Sequence, residues 1–281
     1  YFLILARLNF CMNFKSGFFL LLLFFLSCGS PSQDEKLSIF KYNQASGIAT
    51  LDPAFAKDQA TIWVCNQLFN GLVQLNEKLE VVPSIAKNWD ISNDGLSYTF
   101  YLRDNVLFHH HDIFTQERRV VASDFSFSFD RLKSKQLASP GAWVLANVNS
   151  YTAINDSTFN IILKNPFPPF LGLLSMPYCS VVPKEIVENT DFRAHPIGTG
   201  PFQFQYWKEG VKLVFRKNQN YFEKEEGKSL PYLDAVAITF IKDKQAAFLE
   251  FLKGDLDFIS GLDASYKDEV LKRDGGLQEK Y

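Results

Sequence analysis

"SIAKNWDISNDGLSYTFYLRDNVLFH", Ser84 to His109, sets how the chain around it folds. Asn93-Asp94-Gly95 stands between two runs of alternating apolar residues, the strongest short-range signal for a β-hairpin. A strand turns successive side chains to opposite faces. The second run therefore sets Tyr98, Phe100 and Leu102 on one face, with Thr99, Tyr101 and Arg103 on the other. Downstream, "NSYTAINDSTFNIILKNPFPPF" predicts a second hairpin turning at Asn155-Asp156, then a proline-rich loop. Between the two, "SDFSFSFDRL" fits two periods. Phe125, Phe127 and Phe129 alternate like a strand, whereas Phe125, Phe129 and Leu132 fit a helix started by Ser123.

Upstream, "LSIFKYN" (Leu37 to Asn43) suits an opening strand and "ASGIATLDPAFA" a loop. "DQATIWVCNQLFNGL" places Ile62, Cys65, Leu68 and Phe69 on one helical face, with Gly71 as the stop. From Thr199 the pattern alternates strand and helix. "KLVFRKN" and "LDAVAITFI" precede a helix over Lys244 to Lys253, with Asp243 as N-cap and Gly254 just past its end. "DLDFIS" then predicts a further strand, and strand–helix–strand argues for an α/β layer. No terminating pattern closes it, so the chain reads as a fragment of a longer protein.

The bulk numbers exclude some classes. The 281 residues carry a formal charge of −2, without the basic excess of a nucleic-acid partner. No glycine-rich phosphate loop, Gly-x-Ser-x-Gly elbow or His-Glu-x-x-His occurs, so an enzyme is not expected. The N-terminal region looks like targeting. The first methionine is Met12, so residues 1–11 read as lying upstream of the start; Lys15 gives a positive region and Phe18 to Leu26 an unbroken apolar run. A membrane-spanning helix needs roughly 20 apolar residues, about twice this run. Ser27-Cys28-Gly29 resembles the end of a bacterial lipoprotein signal, in which Cys28 takes the lipid; a plain secretory signal is the alternative. Acyl chains anchor firmly, because each buried CH₂ contributes about 0.8 kcal/mol. Residues 29–36 read as a flexible tether. Cys65 and Cys179 are left either to pair or to remain buried thiols.

Several separated pieces then resemble one family, the dipeptide/oligopeptide/nickel-type solute-binding proteins of ABC importers (extracellular solute-binding protein family 5). The resemblance is carried by Ala86, Trp89, Asp94-Gly95, Tyr98-Thr99-Phe100, Leu102-Arg103, Val106 and Phe108-His109. Ala122, Asp124-Phe125, Phe127-Ser128 and Arg131 continue it, and "TLDPAFA", "PIGTGPF" and "FLKGDLDFI" agree in order. It implies a helix for "SDFSFSFDRL". It also implies an α/β, bilobal periplasmic-binding-protein type II fold with an additional β-rich domain. Residues 37–71 and 183–281 would form the first lobe and 72–182 the inserted β-rich domain, with the second lobe missing from this stretch.

The function implied is a non-catalytic, monomeric receptor without cofactor. It would be anchored through Cys28 in the periplasm or at the surface of a bacterium, and would deliver short peptides to a permease and its ATPase. Ala45, Ser46 and Gly47 are the ligand-binding candidates in the first loop, against an ordinary exposed turn. Met176, Tyr178 and Ser180 are candidates where the chain returns, against simple core packing. A nickel- or haem-binding receptor of the same family, or a surface lipoprotein without transport role, are the alternatives. The run His109-His110-His111 bears on the first. On extended backbone only His109 and His111 share a side, His195 is remote, and no Cys or Glu joins them at metal spacing. A solvated loop without metal is the expectation.

Overall fold

The computed structural model describes residues 37–274 together with 276 and 278. Cys28, the signal and the tether lie outside the described residues. Two four-stranded sheets organise the rest. The first is antiparallel and consists of β4 (Ala86–Ile91), β5 (Ser97–Leu102), β6 (Val148–Asn155) and β7 (Thr158–Leu163), in the order β4-β5-β7-β6. Both expected hairpins form. Gly95 supplies the positive φ of 69° that the β4–β5 turn requires. Ser92 closes that turn, its hydroxyl accepting from the Ser97 N–H at 2.8 Å. Tyr98, Phe100 and Leu102 are buried, as the alternation of β5 predicts.

Ala122–Lys133 is a helix, α2, packed on β6 and β7. It buries Phe125, Phe129 and Leu132; Phe125 and Phe129 meet Phe159 of β7 with ring centroids 5.7 and 5.6 Å apart. Its N-cap is Val121, not Ser123. Val cannot cap with its side chain, and Asp124 serves from inside the first turn, accepting from the Val121 N–H at 2.9 Å. Arg118 donates to both Asp124 oxygens, at 3.1 and 2.6 Å, which holds the carboxylate in place.

The second sheet is mixed. It joins β1 (Ile39–Asn43) to β8 (Phe202–Lys208), β9 (Lys212–Lys217) and β12 (Ala235–Thr239), in the order β1-β12-β9-β8. β1 runs parallel to β12, Ile39 opposite Ala235, while β9 is antiparallel to both of its neighbours. The short ribbons β2 (Val73–Leu75) with β3 (Val81–Pro83), and β10 (Lys224–Glu225) with β11 (Lys228–Ser229), lie outside both sheets. The helix α1 (Gln59–Leu68) is capped by Asp58, which accepts from the Thr61 N–H at 2.9 Å. It ends at Leu68 on an extended Phe69, earlier than a stop at Gly71 would allow. Gly71 instead allows a close approach, since a Cβ there would meet the Leu174 carbonyl oxygen at 3.3 Å. Val64 rather than the half-buried Ile62 completes the buried face.

Short helices α3 (Phe170–Leu174) and α4 (Lys184–Asn189) follow the proline-rich loop. Lys244–Leu252 is α5, capped by Asp243 and followed by Gly254 at φ 79°, as expected; α6 (Lys267–Val270) is a single turn. The strand expected in "DLDFIS" shrinks to one bridge, Phe258 parallel to Tyr42. The Asp257 carboxylate accepts from the Lys41 N–H at 2.7 Å. A side chain thus occupies a main-chain ladder position, which stops the pairing from spreading.

Three joints tie the antiparallel sheet to the mixed one. Arg131 of α2 forms a two-pronged ion pair with Asp52, both nearly buried, and stacks 5.5 Å over Phe192. Ser128 Oγ accepts from the Val182 N–H at 3.0 Å. The third joint is His109, which is buried, contrary to the solvated loop expected for it. Its Nε2 lies 3.0 Å from the Gly200 carbonyl, its Nδ1 accepts from the Gly198 N–H at 3.3 Å, and its own N–H donates to the Gly198 carbonyl at 2.7 Å. With Nδ1 accepting, Nε2 carries the proton and the ring is neutral. Burial agrees, pushing its pKa down to about 4. Only glycine fits opposite, since a Cβ on Gly198 would lie 2.0 Å from the Leu68 carbonyl oxygen. Cys65 and Cys179 are free buried thiols.

Candidate ligand cleft

In an open α/β sheet ligands bind beyond the carboxyl ends of parallel strands, where successive loops diverge and leave a crevice. Here three parallel segments end together: β1 at Asn43, β12 at Thr239 and the bridge at Phe258. A pocket of about 250 Å³ opens at that edge. Asn43, Ala45, Ile241, Lys242, Ser260 and Gly261 line it, with Lys244 at the start of α5.

Asn43 holds this edge together. Its Oδ1 accepts from the Ile241 N–H at 2.8 Å and the Thr239 hydroxyl at 3.2 Å, and its Nδ2 donates to the Ile241 carbonyl at 2.9 Å. The side chain is buried, so these bonds are partly shielded from water and fix one loop against the next. Beyond it the Gln44 N–H still donates to Thr239, and Gly47 turns the chain back with φ 72° and its N–H on the Gln44 carbonyl. Ala45 and Ser46, between those bonds, are exposed, and their main-chain N–H and C=O groups have no partner among the described residues. The edge is therefore a fixed frame carrying a two-residue turn whose main-chain groups are unpaired. Lys242 and Lys244 bring ammonium groups to the pocket, while the N-terminal end of α5 is already capped by the Asp243 carboxylate.

The six residues singled out from sequence do not converge on one space. Ala45 lines the carboxyl-edge pocket, and Ser46 and Gly47 belong to the same loop. Met176 and Ser180 instead line a separate cleft of about 570 Å³, beside α1, β2 and the loop of Tyr221. Tyr178 lines neither. Its ring lies so close on Gly141 that a Cβ there would be 2.2 Å from it, which is core packing. The larger cleft is not at the end of parallel strands, and the smaller pocket is the better candidate for the principal ligand on that ground. Sequence alone does not single out Asn43, Ile241, Lys242, Ser260 and Gly261. The signal that finds them is positional: each lies at or just beyond the end of a parallel segment of the strand–helix–strand unit. Among the described residues no group of histidines, cysteines and carboxylates is placed to hold a metal, and no helix is long and apolar enough to cross a membrane.

A frame of diverging loops at the edge of a mixed α/β sheet, with an antiparallel sheet beside it, marks a ligand-binding protein of periplasmic-binding type. The chain belongs to the bacterial extracellular solute-binding proteins, family 5, whose middle-region profile matches residues 80–280. It is 32% identical over 244 residues to the periplasmic murein peptide-binding protein MppA of Escherichia coli, covering 80% of this chain and 43% of that protein. It resembles the structure of the periplasmic binding protein DppA from Helicobacter pylori in complex with the peptide STSA. The TM-score is 0.75 and the identity 27%, over 85% of this chain and 50% of that one. NikZ from Campylobacter jejuni in complex with Ni(L-His) is similar at a TM-score of 0.70 and 29% identity, over 82% and 44%. The chain thus spans about half the length, or less, of the relatives it matches.

Proposed function

We propose that the whole protein is the substrate-binding receptor of an ABC importer, capturing short peptides outside the cytoplasmic membrane and delivering them to a permease and its ATPase. The observation that carries this reading is the unpaired backbone of Ala45 and Ser46 on the rigid carboxyl edge. A peptide laid against this turn gains main-chain hydrogen bonds that do not depend on its side chains. Small residues let the two backbones approach, and Lys242 and Lys244 each offer an ammonium group to a peptide carboxylate. One half of a cleft holds a ligand weakly. A second lobe that closes on the other side adds contacts made only in the closed state, and the ligand shifts the population toward it.

In this reading residues 37–71 and 183–281 form the lobe that bears the pocket, and residues 72–182 the β-rich domain beside it. The assignment is supported by the way strands sort into sheets, β1, β8, β9 and β12 in one and β4 to β7 in the other. Lipidation at Cys28 would tether a monomer to the membrane, in the periplasm or at the cell surface. A nickel- or haem-binding receptor of the same family is the competing reading. Against it stands His109, whose two ring nitrogens are both engaged with Gly198 and Gly200. Of the run, that leaves the exposed His110 and the half-buried His111, whose Nδ1 already accepts from the Ile113 N–H at 3.1 Å.

Native and then denaturing mass spectrometry of the full-length gene product, purified without added ligand, tests the reading. Co-purified peptides of mixed mass are expected. A clean apo mass, or one shifted by nickel or haem, refutes it.

A further inference from the structure

We propose that the cleft of about 570 Å³ beside α1 is a second binding site, one for a small uncharged polyol or sugar. It shares no lining residue with the carboxyl-edge pocket, so the inference stands apart from the peptide reading. Its volume falls within the roughly 300–1,000 Å³ of small-molecule sites.

The chemistry of the lining selects the ligand. No Asp, Glu, Lys, Arg or His lines the cleft; its polar groups are amides and hydroxyls, among them Gln67, Asn70, Ser180 and Tyr221. A carboxylate brought here would meet no cationic side chain, and the nearest acid, Glu223, already accepts from Tyr221 and Gln74 of the wall, so charged peptides and amino acids are poorly matched. Polyol hydroxyls both donate and accept, and match amide and hydroxyl groups one for one. The apolar side chains of Ile62 and Met176 offer the C–H faces of a sugar ring something to pack against.

Part of this lining is pre-arranged. The Thr199 hydroxyl donates to Asn70 Oδ1 at 3.0 Å, Asn70 Nδ2 donates to the Tyr221 hydroxyl at 3.2 Å, and that hydroxyl donates to Glu223 at 3.0 Å. The relay fixes Asn70 and Tyr221 before any ligand arrives, which lowers the ordering cost of binding. Another part is unused. The Ser180 hydroxyl, on a buried residue, and the Gln67 amide have no hydrogen-bond partner among the described residues. Ser84, whose hydroxyl is buried and also without one, belongs to the same wall.

Saturation-transfer NMR on the full-length protein, with glucose and trehalose as probes and glycylglycine as the charged control, tests this. Transfer from the protein to at least one sugar is expected, with a Kd of about 1 mM or tighter. Gln67→Leu and Ser180→Ala should each weaken it by about tenfold. Gln67 is half-buried and its side chain makes no bond, so leucine leaves the fold intact and co-purified peptide unchanged. Absence of transfer to both sugars, equal transfer in both variants and the parent, or displacement of the sugar by glycylglycine would each overturn the proposal.

Discussion

Both sheets of this protein contain local hairpins, but only the mixed one depends on a pairing that closes over most of the chain. In β4-β5-β7-β6 two of the three pairings are hairpins with short turns, at Gly95 and at Asp156, and the alternation within each strand announces which face is buried. In β1-β12-β9-β8 the pairing that shapes the candidate ligand pocket joins Asn43 to Thr239, with most of the chain between them. A local pairing closes a small loop and a distant one a large loop, so the second loses more chain entropy and must be held by more specific contacts. Asn43 and Asp257 are such contacts. The antiparallel sheet is thus the scaffold, and the sheet closed over long range carries the candidate ligand edge.

The largest effect is expected at the scaffold. Phe159 is fully buried between Phe125, Phe129 and Tyr151. Phe159→Ala should lower stability by about 3–5 kcal/mol, the usual cost of a large buried cavity. Urea unfolding gives the value, and a loss under about 1 kcal/mol would mean that the ring cluster does not carry the antiparallel sheet.

The seam between the sheets gives the next effect. His109 is neutral when folded and its pKa is pushed down to about 4 from the ordinary 6.5. The unfolded chain therefore takes up the proton more readily than the folded one. Stability is full above pH 6.5 and falls as the pH drops toward 4, by about 2 kcal/mol at pH 5. Protonation would place a proton on Nδ1, facing the Gly198 N–H. His109→Gln should remove this dependence; a variant retaining the parent's slope between about pH 7 and 5 would assign the slope to other groups.

The smallest expected effect lies at the ligand edge. Gly47 has φ 72° with open space around it, so Gly47→Ala meets backbone strain alone, about 1 kcal/mol. The variant should stay folded while weakening peptide capture, because the Ala45–Ser46 backbone is re-aimed. Unchanged co-purification of peptide by Gly47→Ala would detach this loop from the ligand.

Legibility follows the same division. Both hairpins, the cap at Asp243 and the left-handed Gly254 are written in short windows of sequence, because turns and caps depend on residues within reach of each other. The helix at Ala122–Lys133 is not: its phenylalanines satisfy two periods, and the family resemblance, not the periodicity, separates them. "DLDFIS" has strand character throughout, yet the Asp257 carboxylate takes a ladder position, which no propensity encodes.

The candidate site is the least legible. Ala45, Ser46 and Gly47 are reached through resemblance, while Lys242, Ser260 and Gly261 acquire meaning only when three parallel segments end side by side. His109 escapes a sequence reading for a related reason, since its burial depends on Gly198 and Gly200 closing over it from far along the chain.

Residues close together along the chain are enough to settle the antiparallel hairpins, the capped helix α5 and the glycines that free the backbone to turn, and several such windows in order point to the family. Only the packed chain makes His109 a buried clamp, lays Tyr178 on Gly141, and turns Ala45 and Ser180 toward different cavities. Those outcomes depend on which surfaces meet, and contact between distant segments is fixed by packing the whole chain at once.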